Sequence, residues 1–368
     1  MLRNVVVVDE RNGFRLAAYQ EALFDTVIYS KANSLDQLRN ESLLAARRTV
    51  SNGWALVIDS DEFVDAHSLA VMREALATTS IHAFQLPVFN YFGRGRWATT
   101  YAYRLFRLDA PIEYRYRIHE SIAPSLADNA LCWDFLYAPI HHLDFIEIQR
   151  GKREKYLAML NREIEEGQDL PFLLAIRAVE LFAKGANSDA LTDIDSAIGL
   201  AMSCRSRLEG KDDFPRFLQA LFLLKLGAHA DAYKKFLTLF ERARSGGSAR
   251  ARLRAAESAL GLASVESSKG SYRAALEWAE SSIALWPSAE GLFNSATLSC
   301  LLGNIDFAFA RMSEGLSLNG LAADTRVLCA DHPETLFDWQ SLLVPQYAGS
   351  TALAQRLRSV RIASPRVV

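Results

Sequence analysis

The sequence has few cysteines, no long apolar segment and no excess of charge of one sign. Its four cysteines are scattered without a CxxC pair, which argues against a disulfide framework or a zinc site and predicts buried free thiols in a reducing cytoplasm. The longest apolar runs, such as 54–58 and 221–224, fall far short of the roughly 20 residues that a membrane-spanning helix needs. Near the start of the chain a single arginine precedes a short apolar run that ends in acids, so we expect no signal peptide there.

Charge is balanced, with 41 Lys and Arg residues against 43 Asp and Glu residues and a formal net charge of −2. Proteins that coat nucleic acid usually have a basic surplus, so we expect no nucleic-acid partner. Arginines at 356–366 make the carboxyl end basic, which indicates a solvated helix and tail or, as the alternative, a weak association with an anionic membrane surface. Half of the residues are hydrophobic and 23% are charged, a balance typical of globular proteins.

Strand and helix signals alternate over residues 1–145. Runs rich in β-branched or apolar residues predict strands at 5–8, 26–29 and 54–58. The third run is apolar along its whole length, which is typical of a parallel sheet covered on both faces. We therefore expect an α/β domain here, with a region at 83–108 whose strands and loops leave the parallel pattern.

Helical signals replace strand signals after residue 145, and a short pattern recurs among them. A glycine that follows one helix is followed five positions later by an alanine, in the pairs Gly185 and Ala190, Gly227 and Ala232, Gly270 and Ala275, and Gly303 and Ala308. The glycine suits a turn, and the small residue lets two helices approach closely. The pattern resembles the tetratricopeptide repeat, a helical hairpin of about 34 residues; a plain helix bundle is the alternative. The resemblance implies a solenoid whose concave face holds a ligand or a protein partner.

Three carboxylates follow the apolar run at 54–58 within four residues, namely Asp59, Asp61 and Glu62. Ligands of open α/β sheets bind at the carboxyl ends of the strands, and hard oxygen ligands suit Mg²⁺ or Mn²⁺. We expect Asp59 and Asp61 to turn toward one such ion and the phosphates that it binds. The alternative is an acidic surface turn, because a bare DxD is frequent by chance.

Five motifs follow one another in the order found in one family. They are Arg39-Asn40-Glu41, the segment Trp54 to Glu62, Arg104-Leu-Phe-Arg107, Ile118-His119-Glu120, and His142 with Phe145. Together they resemble the family 2 glycosyltransferases of the GT-A fold, in the bacterial subgroup whose transferase domain precedes tetratricopeptide repeats. The resemblance implies a Rossmann-like nucleotide-sugar domain. It also implies a cytoplasmic enzyme that transfers a sugar, with inversion, from a nucleotide diphosphate sugar to a glycan, lipid-linked or peptide acceptor.

The resemblance assigns a role to each motif residue. The donor nucleotide sugar would contact Asp9, Arg39, Asp59, Arg104 and Arg107. The metal ion, Mn²⁺ or Mg²⁺, would be bound by Asp61, Asp59 and His142. Glu120 would take the proton of the acceptor as general base, with His119 orienting it. An ion pair between helix and sheet is an equal alternative for Arg39, and a structural, half-buried histidine is the alternative for His119.

The chain opens at the strand that corresponds to the family's second strand, so the resemblance implies either an abbreviated nucleotide site or a truncated start. Two functions therefore stand side by side: a metal-assisted, inverting glycosyltransferase, and a non-catalytic repeat scaffold that binds protein partners and keeps the transferase domain only as a fold. We divide the chain into a GT-A-like domain (1–145), a connecting helix (146–170), helical repeats (171–320) and a helical cap with a basic tail (321–368).

Overall fold

The computed structural model describes residues 5–9, 25–50, 52–93, 96–143, 152–167, 170–203 and 213–320. Within these ranges a sheet-containing part, up to residue 143, is followed by an all-helical part from residue 152. The coarse prediction of a mixed part followed by helices is therefore confirmed. The predicted domain boundaries stay a prediction.

The sheet-containing part has eight strands and three helices among the described residues. They are β1 (Val5–Asp9), β2 (Thr26–Ser30), α1 (Leu35–Thr49), β3 (Trp54–Leu56), β4 (Glu62–Val64), α2 (Ala66–Thr78), β5 (Ala83–Gly93), β6 (Arg96–Arg107), α3 (Ala123–Asp128), β7 (Trp133–Phe135) and β8 (Ile140–His142). Strands are thus present where the three runs predicted them, and β5 and β6 fill the aromatic region at 83–108.

These strands form two separate sheets. β1 and β2 pair in parallel as a sheet of their own. In the other sheet β3, β6, β5, β8 and β4 lie side by side, and β7 also pairs with β5. The pairings β3–β6, β5–β6 and β4–β8 are antiparallel, whereas β5 is parallel to β7 and β8. The prediction that the run at 54–58 belongs to a parallel sheet is therefore wrong for the described residues.

The apolar run at β3 nevertheless lies between two packed layers. Ala55 packs toward the core beneath α1, and Trp54 and Leu56 pack toward the core beneath α2. The uninterrupted apolar run therefore correctly indicates that both faces of this strand are covered. It carries no information about strand direction, because the direction is set by β6, which lies far away in the sequence.

The helical part has nine helices among the described residues. They are α4 (Lys152–Glu165), α5 (Leu170–Ala183), α6 (Asn187–Ser203), α7 (Asp213–Lys225), α8 (His229–Arg244), α9 (Ala249–Ser268), α10 (Tyr272–Leu285), α11 (Ala289–Leu301) and α12 (Ile305–Leu318). Within the described ranges, none of the helices combines the length and the apolar character that a membrane crossing requires.

Four turns between these helices share one geometry. Gly185, Gly227, Gly270 and Gly303 have φ between 77° and 87°. In each turn the residue after the glycine donates its N–H to the carbonyl five residues earlier. This is the Schellman arrangement, in which a glycine just beyond the helix end adopts the left-handed conformation. The predicted glycine turns are therefore confirmed, and they join α5 to α6, α7 to α8, α9 to α10 and α11 to α12.

A pair of alanines brackets each of these turns. The alanine predicted five positions after each glycine is fully buried in all four hairpins. A second fully buried alanine lies seven positions before each glycine, at Ala178, Ala220, Ala263 and Ala296. Because the distance between packed helices depends on the side chains at their contact, alanine in both helices lets the two axes approach closely.

The helical hairpins wrap around the sheet-containing part. Aromatic pairs join the two at Tyr116 with Phe172, Trp97 with Phe293 and Phe135 with Trp286, with ring centroids 5.1, 5.9 and 5.3 Å apart. Beyond α12, the side-chain carbonyl of the fully buried Asn319 accepts a hydrogen bond from the hydroxyl of Tyr91 on β5 at 2.5 Å. The first and the last hairpin are thus both attached to the sheet-containing part.

Candidate binding site between the sheet and the helical repeats

Four of the predicted site residues meet in one ion-pair network. On α1, Nη2 of Arg39 lies 2.5 Å from Oδ1 of Asp59, and its Nε lies 3.0 Å from Oε1 of Glu120. On β6, Nη2 of Arg104 lies 3.1 Å from Oδ2 of Asp59 and 2.7 Å from Oε1 of Glu62. The ion pair between helix and sheet, one of the two alternatives for Arg39, is therefore present.

The neighbouring Asn40 explains how α1 comes to lie beside Glu120. Its side-chain amide donates to the carbonyl of Tyr114 and accepts from the N–H of the same residue, both at 2.8 Å. These two bonds fasten α1 to the segment that follows β6. Arg39, the preceding residue on the helix, is thereby held within reach of Glu120, which comes six residues after Tyr114.

The network shifts the ionisation of its members in definite directions. Burial alone would raise the pKa of Asp59, but the charges of Arg39 and Arg104 outweigh burial and hold that pKa below its usual range. Burial raises the pKa of Glu62, and the charge of Arg104 offsets the rise only in part. Burial also raises the pKa of Tyr114 to about 12. Asp59 is thus a charged group that the protein's own arginines already engage.

Asp61 and His142 form a separate pair. Nε2 of His142 lies 3.3 Å from Oδ2 of Asp61, and its Nδ1 lies 2.8 Å from Oδ1 of Asn90. Asp59, the third predicted metal ligand, belongs to the ion-pair network instead. In the part of the chain that the structure describes, no group of three or more His, Cys, Asp or Glu side chains is arranged to hold a metal ion. Binding of Mn²⁺ or Mg²⁺ stays a prediction.

The other predicted site residues lie apart from these groups. Arg107, at the end of β6, forms an ion pair with an aspartate two residues further on. His119 is exposed, has a φ of 53°, and its ring centroid lies 6.2 Å from that of Tyr156 on α4. Asp9 is the last residue of β1. These positions do not test the roles that the family resemblance implied.

A buried histidine organises a second network. The ring of His141 on β8 lies against the ring of Phe63 at 4.9 Å between centroids. Its Nδ1 lies 2.8 Å from the hydroxyl of Tyr91, and its Nε2 lies 3.2 Å from Oδ2 of Asp65. Hydrogen bonding with His141 lowers the pKa of Asp65 to about 2. Because Tyr91 also bonds to Asn319, this network connects the sheet with the end of the last hairpin.

A cavity of about 1520 Å³ lies between β6 and the inner helices of the hairpins. One wall contains every residue of 97–104 on β6, and the other is formed mainly by α5, α7, α9 and α11. Arg104 and Glu120 are the members of the ion-pair network that reach it, together with Tyr114. Small-molecule sites usually measure roughly 300–1,000 Å³, so this cavity is large for such a ligand.

The outer edge of β6 faces this cavity. β3 pairs only with residues 105–107 of β6. Among the described residues, no strand pairs with the outer edge of residues 97–103, although these residues line the cavity. An unpaired strand edge presents a row of backbone N–H and C=O groups that can pair with another chain.

The same cavity combines aromatic rings with two carboxylates. The ring of Phe135 lies 5.7 Å from that of Tyr101 and 5.3 Å from that of Trp286. Burial, and then the charges of Glu290 and Glu257, raise the pKa of Tyr101, and both carboxylates line the same cavity as Tyr101. Oε2 of Glu257 lies 2.7 Å from Nη1 of Arg254. Glu290, in the first turn of α11, forms no ion pair with any described residue.

Sequence reasoning missed these cavity residues. The cavity exists only because two parts of the chain fold against each other, and neither part shows it alone. Glu257 carried a signal, because it is a single acid in the apolar stretch from Ala255 to Ala263. Glu290 carried none, because a glutamate in the first turn of a helix is common.

Comparisons with known proteins found similar solved structures for about half of this chain. No protein-family model matches the chain, and no curated protein matches it. Similar solved structures include MamA 41-end from Desulfovibrio magneticus RS-1, at 15% identity over 48% of this chain and 90% of that chain with a TM-score of 0.34. They also include a Rap protein in complex with Competence and Sporulation Factor, at 15% identity over 48% of this chain with a TM-score of 0.39; the match spans 52% of that protein. YrrB, described as a TPR protein with an unusual peptide-binding site, matches at 14% identity over 48% of this chain and 82% of its own, with a TM-score of 0.31.

These findings correct the predicted family. The similar structures are TPR-type proteins and not glycosyltransferases, so the predicted membership of the family 2 glycosyltransferases is wrong, and so is the prediction of an enzyme. Of the predicted features that the comparisons address, the tetratricopeptide-type repeat is the one they support. The fold gives a physical reason why the motifs misled: Arg39, Asp59, Arg104 and Glu120 stand in the expected order, but here they neutralise one another.

Proposed function

We propose that the chain is a helical-repeat scaffold that binds an extended segment of a protein partner in the cavity between the hairpins and β6. The observation that carries the proposal is the cavity itself, since the inner helices of all four hairpins contribute to one wall. In repeat proteins the concave surface is the usual binding surface. YrrB is described as having a peptide-binding site, and the proposal assigns the same class of ligand to this chain.

The lining of the cavity suits a polypeptide. The cavity wall combines apolar side chains of the inner helices, such as Phe172, Val179 and Leu260, with charged and polar groups of α9 and α11. An extended segment presents both kinds of surface within a few residues, because its side chains point alternately to opposite sides. The volume, larger than a typical small-molecule site, supports the same ligand class.

The test is selection of binding peptides from a random dodecapeptide library with the full chain as bait. We expect selected peptides to bind with micromolar dissociation constants, about −8 kcal/mol, measured by fluorescence anisotropy. Val179→Glu places a charge in the cavity wall and should weaken binding at least tenfold. Leu191→Glu is the matched control, because Leu191 is equally half-buried against the same core but lies outside the cavity lining.

Two results would overturn the proposal. One is the absence of any binding peptide from the library. The other is equal binding by wild type and Val179→Glu when circular dichroism shows that both variants are folded to the same extent, since the peptide would then bind elsewhere on the chain.

A further inference from the structure

The free edge of β6 offers an incoming polypeptide something that the helices cannot offer. Among the described strands, residues 97–103 pair with β5 alone; on the other side they line the cavity, where Glu290 engages the backbone of Thr99. Helical hairpins satisfy their backbone groups internally, so they contribute side chains alone. A segment lying along β6 would therefore gain backbone hydrogen bonds as well as side-chain contacts, as in recognition by β-strand addition.

One buried polar atom on the helical side of the cavity lacks a partner in the described part of the chain. Oγ of Ser282 is buried without a hydrogen-bond partner among the described residues, and Ser282 lines the cavity. Buried polar groups in folded proteins are nearly always paired with protein or ordered water. This hydroxyl therefore favours a ligand with polar groups, such as a peptide backbone.

One of the two carboxylates on the helical side of the cavity has no cation in the described part of the chain to balance its charge. Of the two carboxylates there, Glu257 has a cation at 2.7 Å in Arg254. Glu290 accepts hydrogen bonds from the side chain and the backbone of Thr99, but it has no cation among the described residues. A carboxylate removed from water is stabilised by a cation at close range, and the rings of Tyr101, Phe135 and Trp286 supply faces that attract a cation as well.

We propose that the partner segment adds to the free edge of β6 as an extended strand and places a lysine or arginine side chain against Glu290. This inference rests on the proposed function and adds the mode of binding and the chemistry of one ligand side chain. The backbone edge sets the direction and register of the segment, and Glu290 with the three rings selects the cation.

The experiment uses the dodecapeptides selected with the full chain, and it has two arms. In the first, single backbone amides of one peptide are N-methylated in turn. Since successive residues of a strand point their N–H groups to opposite edges, we expect methylation to weaken binding about tenfold at every second position, from the loss of backbone hydrogen bonds, and to have little effect between them.

In the second arm each lysine of the peptide is replaced by norleucine, which keeps the four-carbon side chain and removes the ammonium group. We expect one of these replacements to weaken binding of the peptide to the wild-type protein about tenfold, the order expected for a hydrogen bond to a charged group. The same replacement should weaken binding of the peptide to the Glu290→Gln variant less than twofold. Glu266→Gln is the control, because Glu266 is also on a helix of the repeats but pairs with Lys269 outside the cavity. In this variant the tenfold effect should persist.

The outcomes separate this inference from the proposed function. Strand addition is overturned if the peptides bind but tolerate N-methylation at every position. The cation site is overturned if replacing lysine has the same effect with Glu290→Gln as with the wild type. Either result leaves the scaffold function intact. A selection that yields no binding peptide overturns the proposed function, and this inference falls with it.

Discussion

Replacing single glycines by alanine tests the geometry of the hairpin turns with one chemical change. Gly270, between α9 and α10, has a φ of 77°, and an added Cβ would meet nothing within 4 Å. Gly199 lies within α6, and an added Cβ would likewise meet nothing within 4 Å. The two positions therefore differ in backbone conformation and not in available space.

The magnitudes follow from that difference. Alanine in the left-handed conformation costs about 1–2 kcal/mol, and the loss of chain entropy in the unfolded state returns about 0.4–1 kcal/mol. Gly270→Ala should therefore lower the free energy of unfolding by about 1 kcal/mol. In a helix interior alanine is favoured over glycine by about 1 kcal/mol, so Gly199→Ala should raise the free energy of unfolding by up to that amount. The two variants should differ by about 2 kcal/mol.

Urea unfolding followed by helical circular dichroism measures both changes. Gly303→Ala serves as a replicate, because Gly303 has a φ of 80° and an equally open surrounding, and it should behave like Gly270→Ala. The reasoning is refuted if Gly270→Ala is as stable as the wild type, or if Gly199→Ala is destabilised while its urea dependence has an unchanged slope.

Three further predictions concern the buried networks. Arg39→Ala removes the cation between two carboxylates and should lower the free energy of unfolding by about 2 kcal/mol. Arg107→Ala breaks a pair that solvent screens and should change the free energy of unfolding far less; urea unfolding measures both. Tyr91→Phe removes a hydroxyl that hydrogen-bonds to two buried partners and should lower the free energy of unfolding by about 1–3 kcal/mol. Tyr137→Phe removes a buried hydroxyl without a partner among the described residues, so it should leave the free energy of unfolding unchanged or raise it in the same assay. The pKa of Asp65 is lowered to about 2 from an ordinary value near 3.9. Its carboxylate therefore stabilises the fold by about 2 kcal/mol above about pH 4, and this contribution is lost as the pH falls toward 2. Asp65→Asn should flatten this part of the acid-unfolding curve.

Each of these predictions has an outcome that contradicts it. Equal losses for Arg39→Ala and Arg107→Ala would mean that burial of the network contributes nothing. Equal losses for Tyr91→Phe and Tyr137→Phe would mean that the partners of Tyr91 do not matter. An acid-unfolding curve of Asp65→Asn parallel to that of the wild type would show that this carboxyl does not titrate with folding.

Short-range patterns predicted the helical part better than the sheet-containing part. A Schellman turn and its nearby alanine lie within a few residues, so Gly270 and Ala275 were sufficient to locate a hairpin. The matching alanine at 263 is equally local, since it lies seven positions before the same glycine. The pairing of β3 with β6 depends on residues far apart in the sequence, and no local pattern determines it.

The candidate site shows the same limit. An ion pair from Arg39 to the sheet was one of two alternatives from the sequence, because a cation on a helix and an acid at a strand end are both visible there. Its second partner, Glu120, depends on how the segment after β6 returns to α1, which the bonds of Asn40 decide. The cavity near Glu290 depends on two surfaces meeting, so only the folded chain reveals it.

Arrays of helical hairpins usually bend and stretch along their length, because each hairpin contacts only its neighbours. In this chain the first hairpin is attached through Phe172 to Tyr116, and the last is attached through Phe293 and Asn319 to the strands β6 and β5. Bending or stretching the array would break contacts at one end or the other, so its curvature is fixed by the part that it encloses. A ligand would then enter a space of set width, with little loss of conformational freedom on binding.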